Sequence, residues 1–333
     1  MAPVTVRWGV IGPGRIATKV VGDLPLVPGA ELAAVASRTS IERAEAFAAV
    51  HGGARAYGSY QEIVADPDVD VLYIATPHPQ HRAAALAGIA AGKALLVEKA
   101  FTVSAEAARE IVAAANEAGV FVMEAMWTRF QPAIVRMREL IADGAIGEVT
   151  AVQADLGIAA PTDPADRYYN PALGGGALFD VGVYPISFAQ MVLGVPDTVA
   201  ATGRLAPSGI DLEESVLFGY ADGRSAVLHA SIRAARPGQA RVFGTGGWID
   251  VPPRFHHPSR IVLHRAGAEP ETIEVPATGG GYFHELVEVT EAVAAGRTES
   301  AVMPLADTLA VQELMDEIAR QIGLVVQEGP AQL

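Results

Sequence analysis

The stretch Val6-Arg7-Trp8-Gly9-Val10-Ile11-Gly12-Pro13-Gly14-Arg15-Ile16-Ala17 constrains this chain more than any other segment. A short apolar run stops at a pair of glycines and passes into a helical pattern. Gly12, Gly14 and Ala17 fit G-x-G-x-x-A. The first glycine permits a tight turn and the second lets the backbone approach a pyrophosphate. The alanine allows a helix to pack closely on a strand. A helix N-terminus placed here offers amide hydrogens and a partial positive charge to phosphates. The motif carries this meaning only between a strand and a helix, and that context is present. Gly12, Pro13, Gly14, Arg15 and Ile16 are therefore candidate cofactor-binding residues.

The surrounding pattern agrees. Apolar runs at Val6–Ile11, Glu31–Ser37, Val69–Ala75, Ala94–Glu98 and Val120–Glu124 predict strands. Helical stretches lie between them, at Arg15–Leu24, Ile41–Val50, Ser59–Ala65, His81–Ala91 and Ser104–Ala118. Buried strands without alternation, separated by helices, predict a doubly wound parallel sheet of Rossmann type. After Gln131 the pattern changes. A helix at Pro132–Ala142 precedes runs at Glu148–Gly157, Val199–Leu205, Ser215–Tyr220, Ser225–Ile232, Ala240–Gly244 and Arg260–His264, with turn signals such as Asp222-Gly223. These predict a large, mostly antiparallel, open-faced sheet in an α+β domain. Helices at Tyr282–Ala295 and Leu305–Gly323 close the chain. The expected division is a dinucleotide-binding domain over 1–125 and a substrate-binding and oligomerisation domain over 126–333, with the last helices able to pack back on the first domain.

Composition narrows the function classes. With no cysteine, disulfides, thiolate metal sites and cysteine nucleophiles are excluded. A net charge of −14 with no local basic patch argues against nucleic-acid binding. No uninterrupted apolar run is long enough for a membrane span, and no secretory signal pattern precedes the first strand. A cytoplasmic location is expected. No metal site is expected either. His256-His257, adjacent on one strand, point to opposite faces, which argues against one shared metal. His229 and His264 read as isolated structural residues.

Three further places carry chemistry. At the end of the second predicted strand, where a carboxylate would bind a ribose 2′-hydroxyl, the chain reads Ala36-Ser37-Arg38-Thr39. Ser37 can donate to a 2′-phosphate and Arg38 can pair with it, which favours NADP, with NAD as the alternative. Glu98-Lys99 follows the apolar Leu95-Leu96-Val97, at the end of a strand where open parallel sheets bind ligands. In Gly174-Gly175-Gly176-Ala177-Leu178-Phe179-Asp180-Val181-Gly182-Val183-Tyr184, a glycine-rich start leads into a helix with Asp180 and Tyr184 four residues apart, on one face. An acid and a phenol so placed can manage a proton. A phenol needs a nearby cation to do so at neutral pH. Arg167, just ahead of this helix, can reach the substrate mouth.

On Val10–Ala17, Ala75-Thr76-Pro77-His78-Pro79-Gln80-His81, Glu98-Lys99 and Gly174–Tyr184, the chain resembles the Gfo/Idh/MocA oxidoreductases over nearly its whole length. Ala56-Tyr57-Gly58-Ser59-Tyr60 and Met123-Glu124-Ala125-Met126-Trp127-Thr128-Arg129-Phe130 make it most similar to the branch of dimeric dihydrodiol dehydrogenases and NADP-dependent xylose dehydrogenases. The resemblance implies hydride transfer between NAD(P) and a carbinol carbon of a sugar, cyclic polyol or diol. It implies catalytic roles for Lys99 and Tyr184, with Asp180 in support. Thr76, Pro77 and His81 would line the nicotinamide pocket, with His78, Glu98 and Lys99 also binding the cofactor. Trp127 and Arg129 would stand near cofactor, and Lys99, Trp127, Phe130, Arg167, Asp180 and Tyr184 near substrate. A homodimer or homotetramer through the second sheet is implied too. Where the family has Glu-Lys-Pro, this chain has Glu98-Lys99-Ala100. A cis bond before a non-proline residue costs about 3–4 kcal/mol, so a trans Lys99–Ala100 bond is expected. A non-catalytic NADP-binding sensor and a redox-assisted lyase with bound NAD are the alternatives. Xylose, glucose, anhydrosugars, inositols and aromatic dihydrodiols all satisfy these residues.

Overall fold

The computed structural model describes residues 5–330 and 333. In chain order its strands and helices are β1 (Val6–Ile11), α1 (Arg15–Asp23), β2 (Ala30–Ala36), α2 (Ile41–Val50), β3 (Arg55–Tyr57), α3 (Tyr60–Ala65), β4 (Val71–Ile74), α4 (His81–Ala90), β5 (Ala94–Glu98), α5 (Ala105–Ala118), β6 (Val122–Ala125), α6 (Pro132–Ala142), β7 (Val149–Gly157), α7 (Val183–Leu193), β8 (Thr198–Leu205), β9 (Asp211–Gly219), β10 (Ser225–Ser231), β11 (Ala240–Gly244), β12 (Gly247–Val251), β13 (Arg260–Arg265), β14 (Glu271–Glu274), α8 (Phe283–Ala294) and α9 (Leu305–Ile322). The chain forms two compact units. Of the described residues, the first comprises 5–126, 278–308, 328–330 and 333, and the second 127–277 and 309–327.

The first unit is built on a six-stranded parallel sheet of order β3-β2-β1-β4-β5-β6. Strands β4 and β5 are buried along their whole length because both faces are covered by helices, which explains their unbroken apolar runs. The strand order reverses between β1 and β4. The crevice beyond the carboxyl ends of these two strands is where such sheets bind ligands. Local signals set the helix limits. Ser59 and Glu62 form a reciprocal capping box on α3, and the Ser104 hydroxyl accepts from Ala107 N at 3.2 Å on α5. Gly119, at φ 64, ends α5 in the left-handed conformation. Helix α8 packs on β1 within this unit. Its start is held by the buried Asp23, whose carboxylate accepts from the amides of Gly280 at 2.7 Å, Tyr282 at 2.9 Å and Phe283 at 3.0 Å.

The second unit holds an eight-stranded sheet of order β14-β13-β12-β11-β7-β10-β9-β8. Every pairing is antiparallel except β7 with β10. Alternation sorts the two faces. Val216, Phe218, Leu228 and Val242 point inward beneath α7, while Leu217, Val227 and Trp248 are exposed on the other side. The edge strand β8 is covered by α9: Gln321 Oε1 accepts from Ala201 N at 2.7 Å, and Gln321 Nε2 donates to Val199 O at 2.9 Å. Pro171–Leu193 is apolar enough by composition to cross a bilayer, with mean hydropathy 1.4, but its apolar window is 89% buried and serves as core. Strands β3, β12 and β14 were not expected from the sequence. Two are three or four residues long, and β12 starts at a glycine and stops at Pro252-Pro253, so none presents a sustained apolar run.

Candidate active site

The first unit contributes a glycine turn, a basic strand end and a lysine-bearing loop. At the end of β1, Gly12 has φ 89, and a Cβ there would press on the Ala75 carbonyl oxygen at 3.0 Å. Only glycine satisfies both demands. The Gly12 amide donates to Ala36 O at 3.1 Å, and Gly14 N donates to Gly12 O at 2.8 Å. A Cβ on Gly14 would meet nothing nearer than Gly12 O at 4.0 Å, so the space above this residue is open. Helix α1 starts there without a side-chain cap, Ala17 packs with no exposure, and Arg15 lies at the surface. An open glycine cradle at a helix start fits a dinucleotide pyrophosphate. Pro13 and Ile16 are partly exposed beside it.

At the end of β2, Ser37 is buried with its hydroxyl 3.2 Å from Thr39 Oγ1. Arg38 is exposed, its guanidinium 5.9 Å from the centroid of the Tyr60 ring. Arg38, more than Ser37, is positioned for a group arriving from solvent.

After β4, Thr76 and Pro77 lead into a 3-10 turn, His78–Gln80. Residues His78 and His81 act on backbone. His78 Nε2 lies 3.2 Å from Lys99 O. His81, fully buried, has Nε2 2.8 Å from Thr76 O and Nδ1 3.1 Å from both Ala100 O and Phe101 O. Burial holds its imidazole pKa below the ordinary value. His81 therefore joins two loops through its ring. Glu98 is buried and accepts a hydrogen bond from Tyr73 Oη. Burial first, and the Glu98 charge next, push the Tyr73 phenol well above its usual pKa. Glu285 of α8 is buried nearby, its carboxyl also pushed up by burial and then by Glu98. Glu98 thus anchors the strand end that carries Lys99.

The Lys99–Ala100 bond is cis, contrary to the trans bond expected from the missing proline. The turn is set by its surroundings: His78 and His81 engage the carbonyls of Lys99, Ala100 and Phe101, and Phe101 N donates to Glu124 Oε1 at 3.2 Å.

The second unit carries the acid and the phenol of the glycine-rich segment. The glycine-rich segment bends because the chain before it lies on top of it. A Cβ on Gly175 would meet the carbonyl oxygens of Arg167, Tyr168 and Asn170 at 2.6, 2.7 and 2.9 Å. This fold-over brings Arg167, stacked on Tyr168 at 4.9 Å, to an ion pair with the buried Asp180. Asp180 sits in a single π-helical turn, Leu178–Gly182, that runs into α7. Such turns are rare and concentrate at functional sites. Tyr184, 9% exposed, accepts a hydrogen bond on Oη from Trp127 Nε1 at 3.1 Å. Trp127 belongs to a 3-10 turn, Trp127–Phe130. In that turn Phe130 is buried, and Arg129 is spent on Ser187 Oγ at 3.4 Å and Gln190 Oε1 at 2.5 Å. Arg129 therefore braces α7.

The two histidines at 256 and 257 require a correction. They lie in a turn between β12 and β13, after Arg254 at φ 69, and not on a strand. Their rings stack on the same side with centroids 4.6 Å apart. His256 lies 5.0 Å from the Tyr184 ring and His257 lies 5.0 Å from Trp127. The backbone of the turn is tied by Thr128 Oγ1 donating to His256 O at 2.8 Å. Among the described residues no group of three or more acids and histidines could hold a metal. The rings belong to the aromatic wall around Tyr184. Two ring-bearing residues after Phe255 were the available signal. His229 bonds Ser215 Oγ at 2.9 Å, and His264 stacks on Trp248 at 4.4 Å with Asp250 at 2.9 Å.

Comparison with known proteins adds the following. The family described as "Oxidoreductase family, NAD-binding Rossmann fold" matches residues 6–126, and "GFO/IDH/MocA C-terminal domain" matches residues 134–250. Trans-1,2-dihydrobenzene-1,2-diol dehydrogenase of Mus musculus is 37% identical over 333 residues, covering 96% of this chain and 98% of its own. The Homo sapiens enzyme of the same name is 35% identical, with 96% and 98% covered. Among solved structures, the 3-ketoreductase KijD10 of Actinomadura kijaniata in complex with NADP and TDP-benzene superposes with TM-score 0.86 at 26% identity, covering 96% of this chain and 98% of that one.

Proposed function

Because the chain belongs to the Gfo/Idh/MocA oxidoreductase family, both of whose domains it carries, we propose that it oxidises trans-dihydrodiols with NADP⁺ as the preferred acceptor. At the coarser level it is an NAD(P)-dependent oxidoreductase acting on a CH–OH group of a small molecule. The diol assignment is supported by relatives at 35–37% identity over almost the whole chain. The NADP preference is supported by the exposed Arg38 after β2, where no acid stands.

The observation that carries the chemistry is the bond from Trp127 Nε1 to Tyr184 Oη at 3.1 Å. An N–H donated to a phenol oxygen favours the phenolate, so Tyr184 is prepared to release its proton and take up another. In oxidation Tyr184 accepts the proton of the substrate hydroxyl. Lys99, at the end of β5, is the candidate cation for this step and the candidate holder of the substrate oxygen. Asp180, fixed by Arg167, supports the turn and the charge balance. Gly12, Gly14 and the start of α1 hold the pyrophosphate, and the bound nicotinamide supplies the hydride acceptor. Trp127, Phe130 and the His256-His257 wall shape the space for the substrate ring. Exposed Leu217 and Val227, paired across β9 and β10 on the uncovered sheet face, support assembly as a homodimer or homotetramer.

The test is turnover. Purified protein with NADP⁺ is offered trans-1,2-dihydrobenzene-1,2-diol, xylose, glucose and inositols while absorbance at 340 nm is followed. Growth of the signal with the diol at the highest kcat/KM supports the reading. Binding of NADP without turnover of any alcohol would make the chain a sensor. A tightly retained cofactor that cycles without net reduction would make it a lyase.

A further inference from the structure

Strand β9 carries two buried acids near its start that the reaction does not use. Asp211 and Glu214 are 0% and 2% exposed. They lie under the segment that carries Asp180 and leads to Tyr184. Asp211 Oδ2 accepts from Leu178 N, the first residue of the π turn, at 2.6 Å. A Cβ on Gly176 would collide with Asp211 Oδ1, and a Cβ on Gly182, the last residue of the turn, would collide with Glu214 Oε1. The two glycines therefore leave room for the two carboxyl groups, one at each end of the turn. The acids are within hydrogen-bonding reach of each other. Asp211 Oδ1 and both Glu214 oxygens meet no donor among the described residues. Two adjacent buried carboxylates could only repel, whereas one proton gives the pair a donor and leaves a single charge.

Among the described residues no cation acts on Glu214. The charges acting on it are Asp211 and Glu213, both negative. Glu213 is paired with Arg233 at 3.2 Å. The residues opposite Glu214 are Ala230 on β10 and Gly203 on β8. In α7 the one titratable side chain is Tyr184, and in the π turn it is Asp180, whose charge is met by Arg167.

We propose that Asp211 and Glu214 hold one proton between them, with Glu214 donating to Asp211, and so act as a positioning pair for the turn that presents Asp180 and Tyr184. The meaning of that presentation rests on the oxidoreductase reading above; the pair itself does not. Burial, then the Asp211 charge, push the Glu214 carboxyl well above its usual range, while burial brings Asp211 to about 6. The folded chain therefore keeps a proton that the unfolded chain has already released. Stability must fall as pH rises from the ordinary glutamate pKa toward the raised folded one. An amide in place of Glu214 keeps the donor and removes the titration.

The experiment compares the full chain with Glu214→Gln and Glu214→Ala. Thermal midpoints are measured without substrate from about pH 5 to about pH 9, spanning the window that linkage predicts. The expected result is that Glu214→Gln matches or exceeds the parent at the alkaline end and loses part of the downward slope, while Glu214→Ala melts lower at every pH. With the diol substrate, Glu214→Ala should lower kcat by about tenfold or more, as misplacement of a proton acceptor does, with KM for NADP⁺ little changed. Glu214→Gln should restore kcat. Identical slopes for parent and Glu214→Gln, or a Glu214→Gln protein as unstable as Glu214→Ala, would overturn the shared proton. An unchanged kcat in Glu214→Ala would overturn the positioning role. A parent inactive on every alcohol would sink the enzyme reading alone, since the melting series still decides the pair.

Discussion

Replacing Arg38 by alanine isolates the basis of cofactor choice. The guanidinium stands at the end of β2, exposed, against the ring of Tyr60 at 5.9 Å. A charge-assisted hydrogen bond to a phosphate contributes about 1.5–3 kcal/mol. Exposure and ionic screening place Arg38 at the lower end of that range, at about 1.5–2 kcal/mol. Because 1.4 kcal/mol is a factor of ten, KM for NADP⁺ should rise about 10–30-fold. NAD⁺ lacks the 2′-phosphate, so its KM should move by less than about twofold, the residual being lost stacking on adenine. The assay is initial rate at 340 nm with each cofactor varied at saturating diol. Arg38→Lys should fall between parent and alanine, since lysine keeps the charge but not the planar fork. Raising the salt concentration should shrink the parent's preference for NADP⁺ while leaving the alanine variant flat. If both cofactors weaken by the same factor, Arg38 contacts something common to the two and the 2′-phosphate assignment is wrong.

Asp23→Ala should destabilise the chain by about 3–5 kcal/mol, because the buried amides of Gly280, Tyr282 and Phe283 lose their acceptor; denaturant titration would show it, and a loss below about 1 kcal/mol would contradict the account. Trp127→Phe removes the donor to Tyr184 Oη and should move the alkaline-going limb of the kcat/KM profile for oxidation to higher pH; an unmoved limb would show that the bond does not tune the phenol. Val227→Glu places a charge on the uncovered face of the second sheet and should shift the assembly toward monomer in light scattering; an unchanged mass would move the interface elsewhere.

The parallel sheet was legible because β1, β4 and β5 are covered on both faces and so read as unbroken apolar runs. The glycine turn was equally legible: Gly12 answers to a backbone angle and to a carbonyl 3.0 Å away, constraints that only one residue type meets. Asp23 was not, since its three amide partners lie more than 250 residues away in sequence and nothing local marks it. The cis bond before Ala100 escaped for a similar reason. Local preference favours trans, but His78 and His81, distant in sequence, engage the carbonyls of that turn. His256 and His257 were misread because Arg254 turns the chain where a strand was assumed, and in a turn adjacent rings can stack. Asp211 and Glu214 carry no local mark of their burial, which depends on the room left by the glycines at 176 and 182.

The central claim is that a lysine ammonium and a tyrosine hydroxyl work as one proton-handling unit. A double-mutant cycle on the hydride-transfer rate, with Tyr184→Phe, Lys99→Met and both together in single-turnover mixing, tests it directly. Each single change should cost about 10²–10⁴-fold, and the double should cost little more than the worse single. Losses that multiply, or a Tyr184→Phe protein as fast as the parent, would contradict it.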